Sequence, residues 1–301
     1  MATAEEQTIP HTRHLTVGQM AAVTLRPLLD AVWKELRAAC AMPGQAEHVH
    51  QVRVATRRAI AALDAFHPVI PADRYEWFEK QLRRLRRAAG EARDLDVLTA
   101  GLARQGLVKS HGRLGPLLSK QRRSAQGPIR EQLEKLIDID WTSQVERLLA
   151  DVRMRRRHCV PRDFALRRLR PTVESFFEKA DRRLRHEKEI HALRIAGKKL
   201  RYTLEVFAPA LPGHRLVRCR KSMEQLQETL GEFTDHASAA ERFERWARRM
   251  GAGPDRDAIV SLGDDANRQA DTARKAFSQW WNSSRRRALR SCFKDMLKPS
   301  A

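Results

Sequence analysis

The chain has 301 residues, enough for one large domain or two ordinary ones. Lys and Arg total 58 against 37 acidic residues, a net charge of +21, and only 13 of the basic residues are Lys, so the surplus is carried by guanidinium groups suited to a phosphate-rich polyanion. No run of about 18 apolar residues occurs, and the first residues lack the apolar core of a signal peptide, which excludes spanning helices and export and predicts a cytoplasmic protein.

Residues 1–14 show no periodicity and are read as a loose arm. Leu25, Leu28, Leu29, Val32, Trp33 and Leu36 then recur at helical spacing, predicting a first helix that ends near Cys40, before Pro43 and Gly44. A second helix is expected over Ala46–Phe66, with Val52, Ala55, Ala59, Leu63 and Phe66 on one apolar stripe. His67–Ala72, with two prolines, reads as a turn, and a third helix follows from about Asp73 to Gln105. A fourth, from about Leu114 to Arg153, should break or kink at Gly127-Pro128. The rest repeats the plan near Phe164–Arg185, Glu187–Phe207, His214–Met250 and Arg256–Leu297, with Asp151–Pro161 as an Arg-rich, solvated connector. No segment alternates with period two between turn signals. The fold class expected is therefore all-α, two four-helix bundles, with residues 15–153 as the first unit and 154–298 as the second.

The halves are copies. His50–Asp94 aligns with His191–Asp235 at one offset of 141 residues without a gap. Identical pairs include His50/His191, Arg53/Arg194, Phe66/Phe207, Pro68/Pro209, Pro71/Pro212, Lys80/Lys221, Gly90/Gly231, Glu91/Glu232 and Asp94/Asp235. Arg57/Lys198 and Arg58/Lys199 keep their charge, and Leu25-Arg26-Pro27 returns as Leu169-Arg170-Pro171. Retention of both charge and core implies an internally duplicated fold.

Each copy also carries a basic stripe. On a helix His50, Arg53 and Arg57 fall within about 60° of arc, opposite the apolar stripe. His191, Arg194 and Lys198 repeat this, and Arg201 is added where the first copy has Ile60. The third helix contributes Lys80, Arg83, Arg84 and Arg87, whereas its counterpart keeps Lys221 but carries Glu224 and Gln225. Such crowding costs a few tenths of a kcal/mol per like-charge pair, which an anion would offset. His50 and His191 suit either helix-start packing or donation to a bound phosphate. Glu91, Asp94, Asp96, Glu232 and Asp235 read as carboxylates that orient guanidinium groups rather than as catalysts. Cys40, Cys159, Cys219 and Cys292 form no C-x-x-C pair, and no His, Cys or carboxylate set has metal-ligand spacing, so neither a zinc site, a disulfide framework nor a cofactor is signalled. There is no G-x-x-x-x-G-K-[ST] loop.

His50-Gln-Val-Arg53-Val-Ala-Thr-Arg57-Arg58 with Gly90-Glu91-Ala92-Arg93-Asp94-Leu95-Asp96, and His191-Ala-Leu-Arg194-Ile-Ala-Gly-Lys198-Lys199-Leu-Arg201-Tyr202 with Leu230-Gly231-Glu232-Phe233-Thr234-Asp235, resemble the two repeats of the CHAD family, the conserved histidine α-helical domain. The resemblance spans nearly all of residues 15–297. It implies two four-helix bundles related by a pseudo-twofold axis around a basic central cleft or pore, and non-enzymatic binding of inorganic polyphosphate with attachment to polyphosphate granules. The polyphosphate-binding set it implies is His50, Arg53, Arg57, Arg58, Lys80, Arg84, Arg87, His191, Arg194, Lys198, Lys199, Arg201 and Lys221. Two positions depart from the family pattern: Ile60 stands where another arginine is common, and Thr234 replaces the counterpart of Arg93, so the two sides should bind unequally. The alternative partner is single-stranded nucleic acid or another polyanion. Such binders use exposed aromatic platforms, and many of the 18 aromatic residues here read as core, leaving nucleic acid as a non-specific competitor.

Overall fold

A computed structural model describes residues 15–104, 106, 114–155, 160–182, 184 and 186–298. The expected arm at 1–14 and positions 156–159 of the expected connector lie outside these residues. Among the described residues there are eleven α-helices and no strand: α1 (Val17–Ala41), α2 (Ala46–Phe66), α3 (Ala72–Arg104), α4 (Leu114–Ser124), α5 (Gly127–Asp138), α6 (Trp141–Met154), α7 (Pro161–Ala180), α8 (Glu187–Phe207), α9 (Gly213–Ala247), α10 (Pro254–Trp280) and α11 (Ser283–Met296).

The all-α expectation holds, but the fourth member of each set is segmented. In the first copy the chain restarts twice. Pro128 sits in the opening turn of α5, where its missing N–H costs nothing, and Asp140, in the left-handed region at φ 49°, accepts from Ser143 N to cap α6. In the second copy the expected single helix over Arg256–Leu297 breaks after Trp280, because Asn282 accepts from Arg285 N at 3.0 Å and so starts a new helix. Elsewhere α2 and α8 span the expected residues, whereas the helix expected over Phe164–Arg185 runs Pro161–Ala180 and is capped at Asp181.

The duplication extends to local backbone. A short 3₁₀ turn at His67–Val69 is matched by one at Ala208–Ala210, each with proline in its first turn and each leading into the long helix of its copy. Pro27 and Pro171 both lie inside helices, α1 and α7.

Contacts between the two halves position the site. Helix α2 packs directly on α8. At their C-terminal ends Phe66 meets its repeat mate Phe207 edge to face at 5.5 Å, and Phe164 of α7 completes the trio at 6.0 and 6.1 Å. Arg168 donates to the main-chain carbonyls of Asp64 and Ala65 at 2.6 and 3.1 Å, closing the exposed end of α2. Buried side chains from all eleven helices then form one continuous core. Among the described residues no helix is long and apolar enough to cross a membrane.

Candidate polyanion-binding surface

Helix α2 packs on α1, α3 and α8, and its basic edge lies beside α3 at Arg53 and beside α8 at Arg57. The side chains of His50, Arg53 and Arg57 are partly buried. Gly90 permits the approach of α3, since a Cβ there would stand 3.2 Å from Arg53 Nη1. Arg86 and Arg93 lie one turn either side of Gly90 on the same face of α3. On α8, Gly197 plays the corresponding part: a Cβ there would collide with the Gln227 amide of α9.

The electrostatics show which of these groups share space. Burial chiefly pushes the Arg53 guanidinium below its ordinary value, and Arg57, Arg86 and Arg93 add to this against Asp94. Burial and then Arg93 lower His50, with Arg57 and Arg53 adding and Glu47 opposing, which favours the neutral imidazole. Arg86 is lowered by burial and then by Arg57, Arg83 and Arg87. In the second copy burial lowers Arg194, opposed by Asp235 and reinforced by Arg57. Burial, then Arg194, Arg57 and Arg201, bring the Lys198 ammonium down to about 7 against the pull of Asp235. Arg57, from the first copy, therefore acts on all five of these groups, two of them in the second copy. The two stripes meet.

The cluster is under-satisfied. The Nε–H groups of Arg194 and Arg201 are buried and have no hydrogen-bond acceptor among the described residues. A buried donor left so costs about 1–3 kcal/mol. Such donors and the gathered positive charge suit an anionic hydrogen-bond acceptor.

Carboxylates fix the guanidinium groups around it. Arg242 of α9, only 5% exposed, donates from Nη1 to Glu91 at 2.5 Å and pairs through Nη2 with Asp94 at 3.5 Å, which joins the second copy to α3 of the first. Asp235 faces Arg194 at 3.7 Å, and Asp96 accepts from Arg122 Nε at 2.7 Å. Glu91, Asp94, Asp96 and Asp235 each face a guanidinium, as the sequence reading expected of them.

The other residues expected from sequence lie around this centre. Arg201 stacks its guanidinium over the Tyr202 ring at 4.9 Å, beside Glu205 at 3.9 Å. Arg58 pairs with Glu205 of α8 at 3.1 Å and thereby ties the two copies together. Arg87 is a charged neighbour of Arg86. Lys80, Arg84, Arg87, His191, Lys199 and Lys221 are exposed on their helices, outside the partly buried cluster. Sequence reasoning passed over Arg86, Arg93 as a site residue, Arg242 and Gln227. For the first two the signal was present, because 86, 90 and 93 are one helical face. Arg242 and Gln227 take their importance from partners 151 residues away in one case and from a glycine on a neighbouring helix in the other.

Clefts among the described residues include two of note. One of about 530 Å³ opens between α1 and α6 beside Trp33 and Trp141. Another of about 490 Å³ lies between α3, α9 and α10, where Leu98, Gly101 and Phe243 meet Glu232, Asp235 and Asp265.

The sequence profile of the CHAD domain matches residues 24–244. Among solved structures, the CHAD domain from the plant Ricinus communis superposes with a TM-score of 0.66 at 20% identity, over 97% of this chain and 96% of that one. PptA from Streptomyces chartreusis superposes with a TM-score of 0.59 at 18% identity, over 89% of this chain and 99% of that one. These two likenesses show a shared fold. No curated protein matches the sequence. The profile match spans most of the chain and includes both histidine stripes, and the chain belongs to the CHAD family.

Proposed function

We propose that this protein binds inorganic polyphosphate without transforming it, on the basic surface where α2, α3 and α8 meet. In this reading residues 15–153 and 154–298 are two four-helix units of one CHAD domain, related by a pseudo-twofold axis, and Phe66 against Phe207 lies near that axis. Polyphosphate binding is a role attributed to the family, whose domains are non-catalytic. The observation that carries the reading is the coupling of Arg57 to Arg194 and Lys198, since like charges from two copies gather in partly desolvated ground. A linear polyanion removes that repulsion along its whole length. The proposed contacts are His50, Arg53, Arg57, Arg194, Lys198 and Arg201 at the centre, joined by Arg86 and Arg93. Arg58, Lys80, Arg84, Arg87, His191, Lys199 and Lys221 extend the basic field as the chain leaves the centre. The proposed setting is the cytoplasm, at polyphosphate granules.

The test is calorimetric titration with long-chain polyphosphate over a range of salt. If about eight phosphates are neutralised, counterion release gives a log–log slope near −0.7 × 8, roughly −6. A slope near zero would overturn the proposal. Displacement of polyphosphate by single-stranded RNA or DNA at equal phosphate concentration would replace it with general polyanion binding. Stacking on bases is poorly provided for, because Phe66, Phe177 and Phe207 are all buried.

A further inference from the structure

Cys219 on α9 and Cys292 on α11 take no part in the basic cluster. They are 73 residues apart in sequence, too far for any spacing motif to mark them, yet their Sγ atoms stand 2.6 Å apart inside the core. A disulfide bond is about 2.05 Å long, so little movement separates the pair from a bond. Cys219 is fully buried, and Cys292 is 8% exposed, so the second is the sulfur that a small reagent reaches first. The surroundings favour one of the two as the nucleophile. The hydrogen bond from Cys219 and the nearby Arg218 pull the Cys292 thiol below its ordinary value against burial and Asp295, while the same bond and burial push Cys219 up. A thiolate with a resolving thiol in contact is the arrangement that reversible oxidation requires.

The pair also sits where a cross-link has a mechanical consequence. Helix α11 is held to α9 and α7 by packing of Leu289, Phe293 and Met296, with Phe293 edge-on to Phe177 at 6.0 Å. Arg215 of α9 donates to the Asp295 carbonyl at 2.9 Å, and Arg290 pairs with Asp181 at 2.5 Å. A covalent bond between α9 and α11 would fasten this last described helix to the long helix that also carries Lys221, Gln227, Asp235 and Arg242.

We propose that Cys219 and Cys292 form a reversible oxidation site, in which a hydroperoxide converts the two thiols into a disulfide that clamps α11 onto α9. The Cys292 thiolate attacks the peroxide oxygen, and the O–O bond breaks. The departing oxygen takes up a proton and leaves as water or an alcohol, and Cys292 becomes a sulfenic acid. Cys219 then attacks that sulfur, the S–S bond forms, and the sulfenic oxygen leaves as water with the Cys219 proton. Two thiols are oxidised by two electrons and one peroxide is reduced. A small-molecule thiol reverses the step by exchange.

The experiment treats the full-length protein with a few equivalents of hydrogen peroxide, blocks remaining thiols and maps peptides by mass spectrometry without reduction. The expected product joins the Cys219 and Cys292 peptides. The oxidised protein should melt about 5 °C or more above the reduced form, since the bond closes a long loop, and dithiothreitol should reverse the shift. Cys219→Ser and Cys292→Ser should each abolish both the cross-link and the shift. Because the mapping is done on the unaltered chain, the test survives if either variant fails to fold. Cross-linking to Cys40 or Cys159 instead overturns the proposal, as does persistence of both thiols under conditions that oxidise the half-buried Cys40, or conversion of Cys292 to a sulfinic acid with Cys219 unchanged.

Discussion

In the first copy of the repeat Arg53 lies over Gly90 among Arg57, Arg86 and Arg93, whereas in the second Arg194 faces Asp235, and the positions matching Arg86 and Arg93 are Gln227 and Thr234. Thr234 is buried and returns its hydroxyl to its own helix, donating to the carbonyls of Leu230 and Gly231 at 3.1 Å. Gln227 packs over Gly197 with both amide atoms buried and, among the described residues, unpartnered. One copy therefore provides a dense guanidinium field and the other a sparser one, in which Lys198 feels Arg57 across the boundary. The two stretches are alike in backbone and differ in charge.

The acids diverge in a complementary way. Arg242 neutralises Glu91 and Asp94 of the first copy, but the residue 141 positions before it is Gly101, which faces Glu232 and Asp235 across a cavity of about 490 Å³. Both carboxylates thus share one guanidinium in the first copy, whereas in the second Asp235 faces Arg194 of its own copy and, with Glu232, borders the cleft.

The largest effect is expected from removing the shared part of the motif. Arg53→Ala with Arg194→Ala should weaken polyphosphate binding about 100-fold or more, since charge-assisted hydrogen bonds contribute roughly 1.5–3 kcal/mol each, while far-ultraviolet circular dichroism stays unchanged. Comparing the single variants sharpens the contrast. If the copies contribute unequally, Arg53→Ala and Arg194→Ala will differ by several-fold in affinity.

Arg242→Ala tests the acid side. Its guanidinium is buried, but Glu91 and Asp94 are half-exposed and regain water when it is removed, so the expected loss is about 2 kcal/mol in urea unfolding rather than the larger cost of a stranded buried charge. Gly101, the matching position, has no such side chain to lose.

Proton linkage gives a third contrast. With its free value near 7, Lys198 is half charged at neutral pH, and a bound polyanion raises that value. The protonated form is the one that binds, so its contribution is full below about pH 7 and is lost as pH rises toward the value of the bound state. Affinity should fall about tenfold from this group alone between pH 6 and pH 9. In Lys198→Arg that part of the pH dependence should vanish, because a guanidinium keeps its charge across the range.

The smallest effect is a gain. Among the described residues nothing lies within 4 Å of a Cβ built at Gly101, which borders the same cleft as Glu232 and Asp235, so Gly101→Arg is placed to reach them. Pairing together with removal of a glycine from the last turn of α3 should stabilise the fold by about 1 kcal/mol, read as a rise in the urea midpoint. Destabilisation would mean that the second acid pair is shaped for something other than a guanidinium.

Much of this molecule was legible in its sequence. Apolar spacing gave α1, α2, α3, α8 and α9 nearly to their ends, and the breaks after Asp138 and Trp280 escaped because the periodicity continues through them while the decisive events are side-chain caps by Asp140 and Asn282. On α3 the reading favoured Lys80, Arg84 and Arg87, an arc dense in charge. The face that meets Arg53 is instead the one with Arg86, Gly90 and Arg93, because burial is decided by what packs opposite.

The order of residues alone determined an all-helical chain, its duplication, its two basic stripes and its excess of arginine, since these follow from periodicity, identity at one offset and charge, which need no partner to be read. Only the tertiary structure decided that Arg57 lies close to Arg194 and Lys198, that Arg242 serves the acids of the other copy, and that Cys219 meets Cys292. Electrostatic coupling and thiol contact depend on distance through space, and packing sets that distance between residues the chain keeps 73 to 151 positions apart.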